Sequence, residues 1–169
     1  MIKRILSILL ALLLCAAVCI GTAEQAGSAL EKSDFTCTMA DGGAFTLHDH
    51  LGKVVLINFW TTWCGPCRTE MPAINELAAY YAQADDVTIL TVNLGDKIDV
   101  VQKFLEDNGY TMPVACDVNN AVALLYGVYN IPATVIFDKN GDVNSAWIGV
   151  SGEIDEICPH IINIIEGLR

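Results

Sequence analysis

The fold of this chain is decided by residues 54–72, Val54-Val55-Leu56-Ile57-Asn58-Phe59-Trp60-Thr61-Thr62-Trp63-Cys64-Gly65-Pro66-Cys67-Arg68-Thr69-Glu70-Met71-Pro72. The opening run is apolar and rich in β-branched residues, which is typical of a central strand covered on both faces. Two cysteines three positions apart follow, and then apolar residues recur at helical spacing, with a kink predicted at Pro72. A strand that ends in a Cys-x-x-Cys turn at the start of a helix indicates a redox-active cysteine pair.

Cys64 and Cys67 are the predicted reacting groups. Thiols at positions i and i+3 can close a disulfide with little backbone movement. Cys64 would lie at the helix start, where free N–H groups and the helix dipole lower a thiol pKa below its usual value of about 8.5. Cys67, one turn inside the helix, is expected to be less exposed. We therefore predict that Cys64 attacks a substrate disulfide and that Cys67 resolves the mixed disulfide.

A metal site, a haem site and a structural disulfide are three other interpretations of the pair. Structural zinc takes four ligands, whereas the chain holds a single Cys-x-x-Cys motif, and His48 and His50 are two loop histidines without a third ligand. Haem attachment needs a histidine after the second cysteine, where Arg68 stands. A purely structural disulfide would leave Trp63 and the Gly-Pro dipeptide without a purpose. The sequence predicts no metal and no cofactor besides the redox-active disulfide itself.

The charge and the N-terminus limit the partners and the location. The formal net charge of −11 argues against nucleic acid and against an anionic membrane surface. Residues 1–23 have a basic start, an apolar run over residues 5–20 and a small-residue end, which is the pattern of an export signal. A cleaved signal peptide, an uncleaved membrane anchor through residues 5–23 and lipidation at Cys19 stay open. Each would place the domain outside the cytoplasm, where disulfides persist.

The remainder divides into a linker at residues 24–34, which is polar and without periodicity, and one folded domain at residues 35–169. Its predicted elements are a hairpin of residues 35–39 and 45–47 around Asp41-Gly42-Gly43, strands at 54–60 and 87–94, helices at 66–83, 99–108 and 119–126, an extended piece at 113–116, a hairpin of 134–137 and 143–148, and a last helix at 153–166, interrupted or entered late at Pro159. Helices that alternate with short strands predict an α/β fold with a mixed sheet.

Several motifs carry a resemblance to a known family. They are Phe45-x-Leu47, Gly52-Lys53-x-Val55, residues 58–72, Tyr126-Gly127-Val128, Ile131-Pro132-Ala133-Thr134 and residues 137–141. Together they resemble the TlpA/ResA-like family of extracytoplasmic thioredoxin-fold thiol-disulfide oxidoreductases, from about residue 35 to the C-terminus. The resemblance implies a thioredoxin-like domain: a central mixed sheet flanked by helices, an N-terminal β-hairpin and an inserted βα element at about residues 96–116.

The resemblance also implies a substrate-binding surface around the cysteines. It implies that Pro132 is cis and faces them, which places Trp63, Pro66, Ile131 and Pro132 at the predicted substrate site. Independently, a cis bond is plausible before this strand because an X-Pro bond costs little in that form. A cis-proline exposes backbone with which an extended substrate peptide can pair.

Asn58 and Glu70 mark a departure from cytosolic thioredoxins, which have a buried aspartate at the position of Asn58. Asn58 cannot ionise, so Glu70, one turn beyond Cys67, is the predicted proton acceptor, and the family keeps a carboxylate there. The alternative is a solvated first-turn glutamate that offsets the helix dipole.

The leading function is the reduction of disulfides in exported proteins. The resemblance implies a membrane thiol electron donor of the DsbD/CcdA type and, as one family role, reduction of apocytochrome c. The alternative that the protein oxidises thiols stays open, because the reduction potentials of such proteins span roughly −270 to −120 mV. A peroxiredoxin-like peroxidase needs Pro-x-x-x-Thr-x-x-Cys; Thr61 fits, but Ile57 replaces the proline. A redox-inert binding module is a third class.

Three further cysteines of the domain are Cys37, Cys116 and Cys158. Each lies in an apolar setting, which predicts packed core cysteines. A bridge between Cys37 and Cys116 stays open.

Overall fold

A computed structural model of the chain describes residues 34–150 and 154–169. The predicted signal or anchor at residues 1–23, and the predicted linker up to residue 33, lie outside the described residues. Within the described ranges, no helix combines the length and the apolar character needed to cross a membrane.

The domain contains seven strands and four helices in the described residues. In chain order they are β1 (Thr36–Met39), β2 (Ala44–Thr46), β3 (Val54–Trp60), α1 (Gly65–Tyr80), β4 (Val87–Leu94), α2 (Ile98–Asn108), β5 (Val114–Asp117), α3 (Ala121–Leu125), β6 (Ala133–Phe137), β7 (Val143–Ile148) and α4 (Ile154–Leu168). A short 3-10 helix, Leu47–His50, follows β2.

All seven strands form one mixed sheet in the order β2-β1-β5-β4-β3-β6-β7. The central strands β3, β4 and β5 run parallel, and the other pairs are antiparallel. The two predicted hairpins are present as β1–β2 and β6–β7. The stretch predicted as an insertion holds α2 and then β5, and β5 lies between β4 and β1. This architecture confirms the predicted α/β fold with a mixed sheet.

Every residue of β3 is buried, because both faces of the sheet are covered. Alternate residues of a strand point to opposite faces, so Leu56 and Trp60 enter one core and Ile57 and Phe59 the other. The first core lies under α1 and α4. The second contains side chains of the β1–β2 hairpin and of α3. By the same alternation Asn58 points into the first core, among side chains that are otherwise apolar.

The last helix departs from the prediction at Pro159. The structure has one helix, Ile154–Leu168, which begins before Pro159 and continues through it, so both the predicted interruption and the predicted late start are wrong. A proline in a helix leaves the carbonyl four residues earlier without its partner. Here Pro159 lies on the exposed side of α4, while Ile157, Ile161 and Ile165 are buried in the first core. Burial of this apolar stripe outweighs the local loss.

Candidate active site

Cys64 and Cys67 form a disulfide at the start of α1, with their Cα atoms 5.3 Å apart. Cys64 is the N-cap residue of the helix, and its Sγ accepts a hydrogen bond of 3.2 Å from the backbone N–H of Cys67. Cys64 keeps 6% of its surface exposed and Cys67 none. The predicted order of exposure is therefore confirmed, and Cys64 is the less buried cysteine of the pair.

The residues just before β6, Ile131 and Pro132, lie next to Cys64 in the fold. The Ile131–Pro132 bond is cis, as predicted, and the carbonyl oxygen of Ile131 lies 4.0 Å from Sγ of Cys64. Ile131 is half-buried and Pro132 is buried. Trp63 is 73% exposed and Pro66 is also exposed, both beside the cysteines in sequence. The structure thus brings Ile131 to Cys64, and Trp63 and Pro66 form an exposed rim.

Glu70 is buried one helical turn beyond Cys67, with 2% of its surface exposed. Its Oε1 accepts a hydrogen bond of 2.8 Å from Nδ2 of Asn58. Burial, only partly offset by this hydrogen bond, raises the pKa of Glu70 from 4.5 to about 7. The alternative of a solvated glutamate is therefore wrong. A carboxyl that titrates near neutral pH is suited to accept and return a proton.

Thr134 completes a buried polar cluster that was not recognised from sequence. Asn58 Nδ2 donates a second hydrogen bond, of 3.0 Å, to Oγ1 of Thr134. The two residues are partners in the antiparallel register of β3 and β6. Thr134 stands inside a family-like motif, but only the strand register indicates its partner.

Asp96 is a second residue that sequence reasoning missed. Its Oδ2 accepts hydrogen bonds from the backbone N–H of Thr62, at 2.8 Å, and from Nδ2 of Asn93, at 3.0 Å. Asp96 thereby ties the loop before Cys64 to the end of β4. A carboxylate soon after a strand was the available signal, because the carboxyl ends of parallel strands meet at one edge of a sheet.

Unsatisfied polar atoms concentrate beside the cysteines. In the described part of the chain, four buried side-chain atoms lack a hydrogen-bond partner, and they are Asn58 Oδ1, Trp60 Nε1, Thr61 Oγ1 and Asn93 Oδ1. All four belong to the last residues of β3 and β4 or to the residue after β3. Buried polar groups without partners are uncommon in folded proteins, so four of them at the ends of two neighbouring strands set this region apart from the rest of the core.

The two loop histidines do not form a joint site. His50 Nδ1 is 2.8 Å from Oγ1 of Thr88, and its ring stacks on Phe45 at a centroid distance of 4.5 Å. His48 is exposed. Residues 34–150 and 154–169 contain no group of three or more histidine, cysteine or acidic side chains arranged to hold a metal ion.

The three remaining cysteines of the domain are free thiols. Cys116 is opposite Thr38 in the register of β1 and β5, so Cys37 points to the other face of the sheet. Accordingly Cys37 lies in the second core and Cys116 in the first. The open Cys37–Cys116 bridge does not form. The prediction of buried thiols is confirmed for these two, whereas Cys158 is half-buried.

Comparison with known proteins identifies the family. The model of the AhpC/TSA family matches residues 30–146. The thiol-disulfide oxidoreductase ResA of Geobacillus thermodenitrificans strain NG80-2 is 40% identical over 143 residues, which cover 85% of this chain and 80% of that protein. The chain belongs to the ResA-type thiol-disulfide oxidoreductases of the AhpC/TSA family. ResA of Bacillus anthracis is also similar, with 36% identity over 119 residues, 70% of this chain and 68% of that protein.

Solved structures agree with the ResA-type assignment. A Chlorobium tepidum protein assigned as the thiol:disulfide interchange protein DsbE is 32% identical, with a TM-score of 0.69 over 80% of this chain and 94% of that one. The exposed lipoprotein thioredoxin of Streptococcus pneumoniae strain TIGR4 is 27% identical, with a TM-score of 0.68 over 80% of this chain and 99% of that one. The thioredoxin-like fold is thereby confirmed, and this ResA-type chain is a thiol-disulfide oxidoreductase whose Cys64–Cys67 pair fits a redox centre.

Proposed function

We propose that this protein reduces disulfides of exported proteins by dithiol-disulfide exchange at Cys64 and Cys67. The observation that carries the proposal is the Cys64–Cys67 disulfide at the start of α1, with the less buried sulfur facing the Ile131 carbonyl. A substrate peptide can approach only the Cys64 side of the pair. Cys64 is therefore the nucleophile and Cys67 the resolving cysteine.

The exchange proceeds in two steps. The Cys64 thiolate, whose proton has gone to solvent, attacks one substrate sulfur; a Cys64–substrate disulfide forms, the substrate disulfide breaks, and the leaving sulfur takes up a proton. Cys67 then loses its proton and attacks Cys64, which restores the Cys64–Cys67 disulfide and releases the second substrate sulfur, which is protonated in turn. Two electrons and two protons pass from the protein dithiol to the substrate.

Glu70 is the proposed proton acceptor for Cys67. The two side chains lie one helical turn apart on α1, both are buried, and the pKa of Glu70 is raised to about 7. The Cys67 proton moves to the Glu70 carboxylate as the resolving thiolate forms, and Glu70 returns it to the released substrate sulfur or to solvent. Asn58 has no acidic proton and cannot do this.

Substrate binding is proposed at the surface around Cys64. Trp63 and Pro66 supply the exposed rim, and Ile131 and Pro132 supply the backbone beside the reacting sulfur. Tryptophan is enriched among the residues that contribute most to binding between proteins, which supports Trp63 as an anchor. Disulfide-containing exported proteins, including apocytochrome c, are the proposed substrates.

The proposed location is extracytoplasmic, either secreted or attached to the outer face of a bacterial cytoplasmic membrane. The export-type pattern of residues 1–23 supports it, as does the likeness to an exposed lipoprotein thioredoxin. In this scheme residues 35–169 form the working domain. A reductant at that location needs electrons, and a membrane thiol donor of the DsbD/CcdA type is the proposed source.

The test combines trapping with a measurement of redox potential. We expect the reduced protein to reduce insulin disulfides, and Cys67→Ser to accumulate a mixed disulfide through Cys64 that mass spectrometry detects. Cys158→Ser, which alters a free thiol outside the pair, is the matched control and should behave as wild type. A reduction potential near −120 mV, the oxidising end of the known range, would indicate a thiol oxidant instead. Turnover of hydrogen peroxide without disulfide reduction would indicate the peroxidase.

A further inference from the structure

The buried amide of Asn58 is held from one side only. Its Nδ2 donates to Oε1 of Glu70 at 2.8 Å and to Oγ1 of Thr134 at 3.0 Å, while its Oδ1 is buried without a partner. A half-turn of the amide about its last side-chain bond exchanges the positions of nitrogen and oxygen. Because nothing binds Oδ1, this half-turn breaks no other hydrogen bond. It leaves both N–H groups of Asn58 without an acceptor among the described residues, and in exchange it offers an acceptor to two hydroxyl hydrogens.

The two orientations match the two protonation states of Glu70. With the carboxylate, Nδ2 faces the cluster and supplies one N–H to Glu70 and one to Thr134. With the neutral acid, Oδ1 faces the cluster and its two lone pairs accept the Glu70 O–H and the Thr134 O–H. A hydroxyl can serve as acceptor in the first state and donor in the second. Which atom of an amide faces a partner follows from the hydrogen-bond network.

We propose that Asn58 and Thr134 are positioning residues that act as a reversible amide–hydroxyl switch, keeping Glu70 hydrogen-bonded in both of its protonation states. The inference rests on the proposed function, since it supports the Glu70 carboxyl as the proton acceptor for Cys67. An aspartate at position 58 could not replace the amide, because an ionised carboxylate has only acceptors and would repel the Glu70 carboxylate.

The surroundings leave Glu70 as the group that drives the switch. Strands β3, β4 and β6 contain no titratable side chain. Helix α4 packs on α1, and its titratable side chains from residue 155 onward are Asp155, Glu156, Cys158, His160 and Glu166, of which only Cys158 is not exposed. Cys158 donates to the carbonyl oxygen of Ala73. On α1, Cys67 is held in the disulfide with Cys64 and does not titrate in the oxidised protein. No ion pair involves Glu70 in the described residues.

The experiment is an NMR titration of the oxidised full chain from about pH 5 to about pH 9, which follows the Glu70 carboxyl carbon and the Asn58 side-chain amide together. We expect both signals to move with one midpoint. Thr134→Val leaves an N–H of Asn58 unpaired when Glu70 is ionised, and an unused lone pair when Glu70 is neutral. A buried N–H without an acceptor costs more than an unused lone pair, so the substitution destabilises the ionised state of Glu70 more than the neutral state. The midpoint of the Glu70 titration should therefore rise by about one pH unit.

Two further variants separate the hydroxyl effect from a packing effect. Thr134→Ser keeps the hydroxyl and should stay within about 0.3 pH units of wild type. Thr91→Val is the matched control, because Thr91 is the other strand neighbour of Asn58 and is equally buried, but its hydroxyl donates to the carbonyl of Pro113. It should leave the midpoint unchanged.

Three results would overturn the switch. They are an Asn58 amide signal that stays constant while Glu70 titrates, a Thr134→Val shift no larger than that of Thr91→Val, and a Glu70 carboxyl that does not titrate in this range. The third would also contradict Glu70 as the proton acceptor for Cys67, but none of the three changes the expectation that the Cys64–Cys67 dithiol reduces insulin at pH 7. The switch can thus fail while the proposed function stands, and a loss of insulin reduction would contradict the function separately.

Discussion

Asn58 Nδ2 and Glu70 Oε1 are joined by a 2.8 Å hydrogen bond between the centre of the sheet and the helix that carries both redox cysteines. The two residues are twelve positions apart, and both are buried. This bond links α1 to the buried polar cluster at Asn58, the position at which cytosolic thioredoxins have an aspartate. In the oxidised protein, whose two redox cysteines do not titrate, Glu70 is therefore the ionisable member of this polar cluster.

Glu70→Gln is expected to reduce the pH dependence of stability in the oxidised protein. The pKa of Glu70 is about 7 when folded and 4.5 as its ordinary value, so the folded state holds the proton more tightly. Its stabilising contribution is fully present below about pH 4.5 and is lost as the pH rises through about 7. The shift corresponds to about 3 kcal/mol. Urea unfolding at both ends of this window measures the difference.

The control for this prediction is Glu76→Gln, which alters an exposed glutamate on the same helix. The wild-type protein and this control should lose more unfolding free energy across the window than Glu70→Gln does. Equal losses in all three proteins would contradict the raised pKa of Glu70.

Trp63→Ala is expected to weaken the binding of protein substrates while leaving the fold intact. Trp63 is 73% exposed, so its removal should change the free energy of unfolding by less than about 0.5 kcal/mol. If the Trp63 side chain contributes about 1.4 kcal/mol to the binding of insulin, its removal slows insulin reduction about tenfold when the substrate is limiting. Reduction of a small aromatic disulfide, which needs little of this surface, should stay within about twofold. Tyr80→Ala, an exposed aromatic at the other end of α1, should change neither rate.

Asp96→Ala is expected to lower the free energy of unfolding by about 2 kcal/mol, because it leaves the Thr62 N–H and the Asn93 amide without their acceptor. It should also slow disulfide exchange, since the loop before Cys64 loses its tie to β4. Asp96→Asn retains a carbonyl oxygen and should lose less than half as much. Asp99→Ala removes an exposed acid three residues along and is the control. A stability loss at Asp99 equal to that at Asp96 would refute the role of these hydrogen bonds.

Cys37 and Cys116 are expected to resist alkylation in the folded protein. Burial, followed by the nearby Asp117, raises the pKa of Cys37 from 9.0 to about 11, and burial raises that of Cys116. Two units of pKa lower the thiolate fraction of Cys37 about a hundredfold near pH 8. Burial also raises the pKa of Cys158, but this thiol is only half-buried. Peptide mapping after N-ethylmaleimide treatment should therefore find Cys37 labelled at least about tenfold more slowly than Cys158, and Cys116 labelled more slowly than Cys158 because Cys116 is buried. A native Cys37–Cys116 crosslink in the same map would contradict their placement on opposite faces of the sheet.

The strand-turn-helix unit was predictable because its signals are local. The apolar run gave β3 its bounds at Val54–Trp60, and the helical spacing after the cysteines gave α1 its buried face. Likewise, Gly109 ends α2 in the left-handed conformation expected of a glycine cap. The continuity of α4 through Pro159 could not be predicted locally, because it depends on the packing of α4 on α1 and not on the preference of proline alone.

The polar cluster lay beyond prediction from patterns alone. In the sequence Thr134 cannot be distinguished from an ordinary strand threonine, and only the register of β3 and β6 places it opposite Asn58. In the sequence Asp96 resembles any acidic loop residue, and only the fold brings its carboxylate to the backbone N–H of Thr62. The sequence could not decide whether Cys37 and Cys116 form a disulfide, because only the register of β1 and β5 shows that they point to opposite faces of the sheet.

The sequence by itself determined the cysteine pair, its order along the helix, the non-ionisable residue at position 58 and the family. These depend on residue identity and on spacings of a few positions. Only the tertiary structure decided that Glu70 is buried, that its partners are Asn58 and Thr134, and that the Ile131 carbonyl stands beside Cys64. Burial and long-range hydrogen bonds are properties of packed elements, and the chemistry of a carboxyl group depends on how far packing removes it from water.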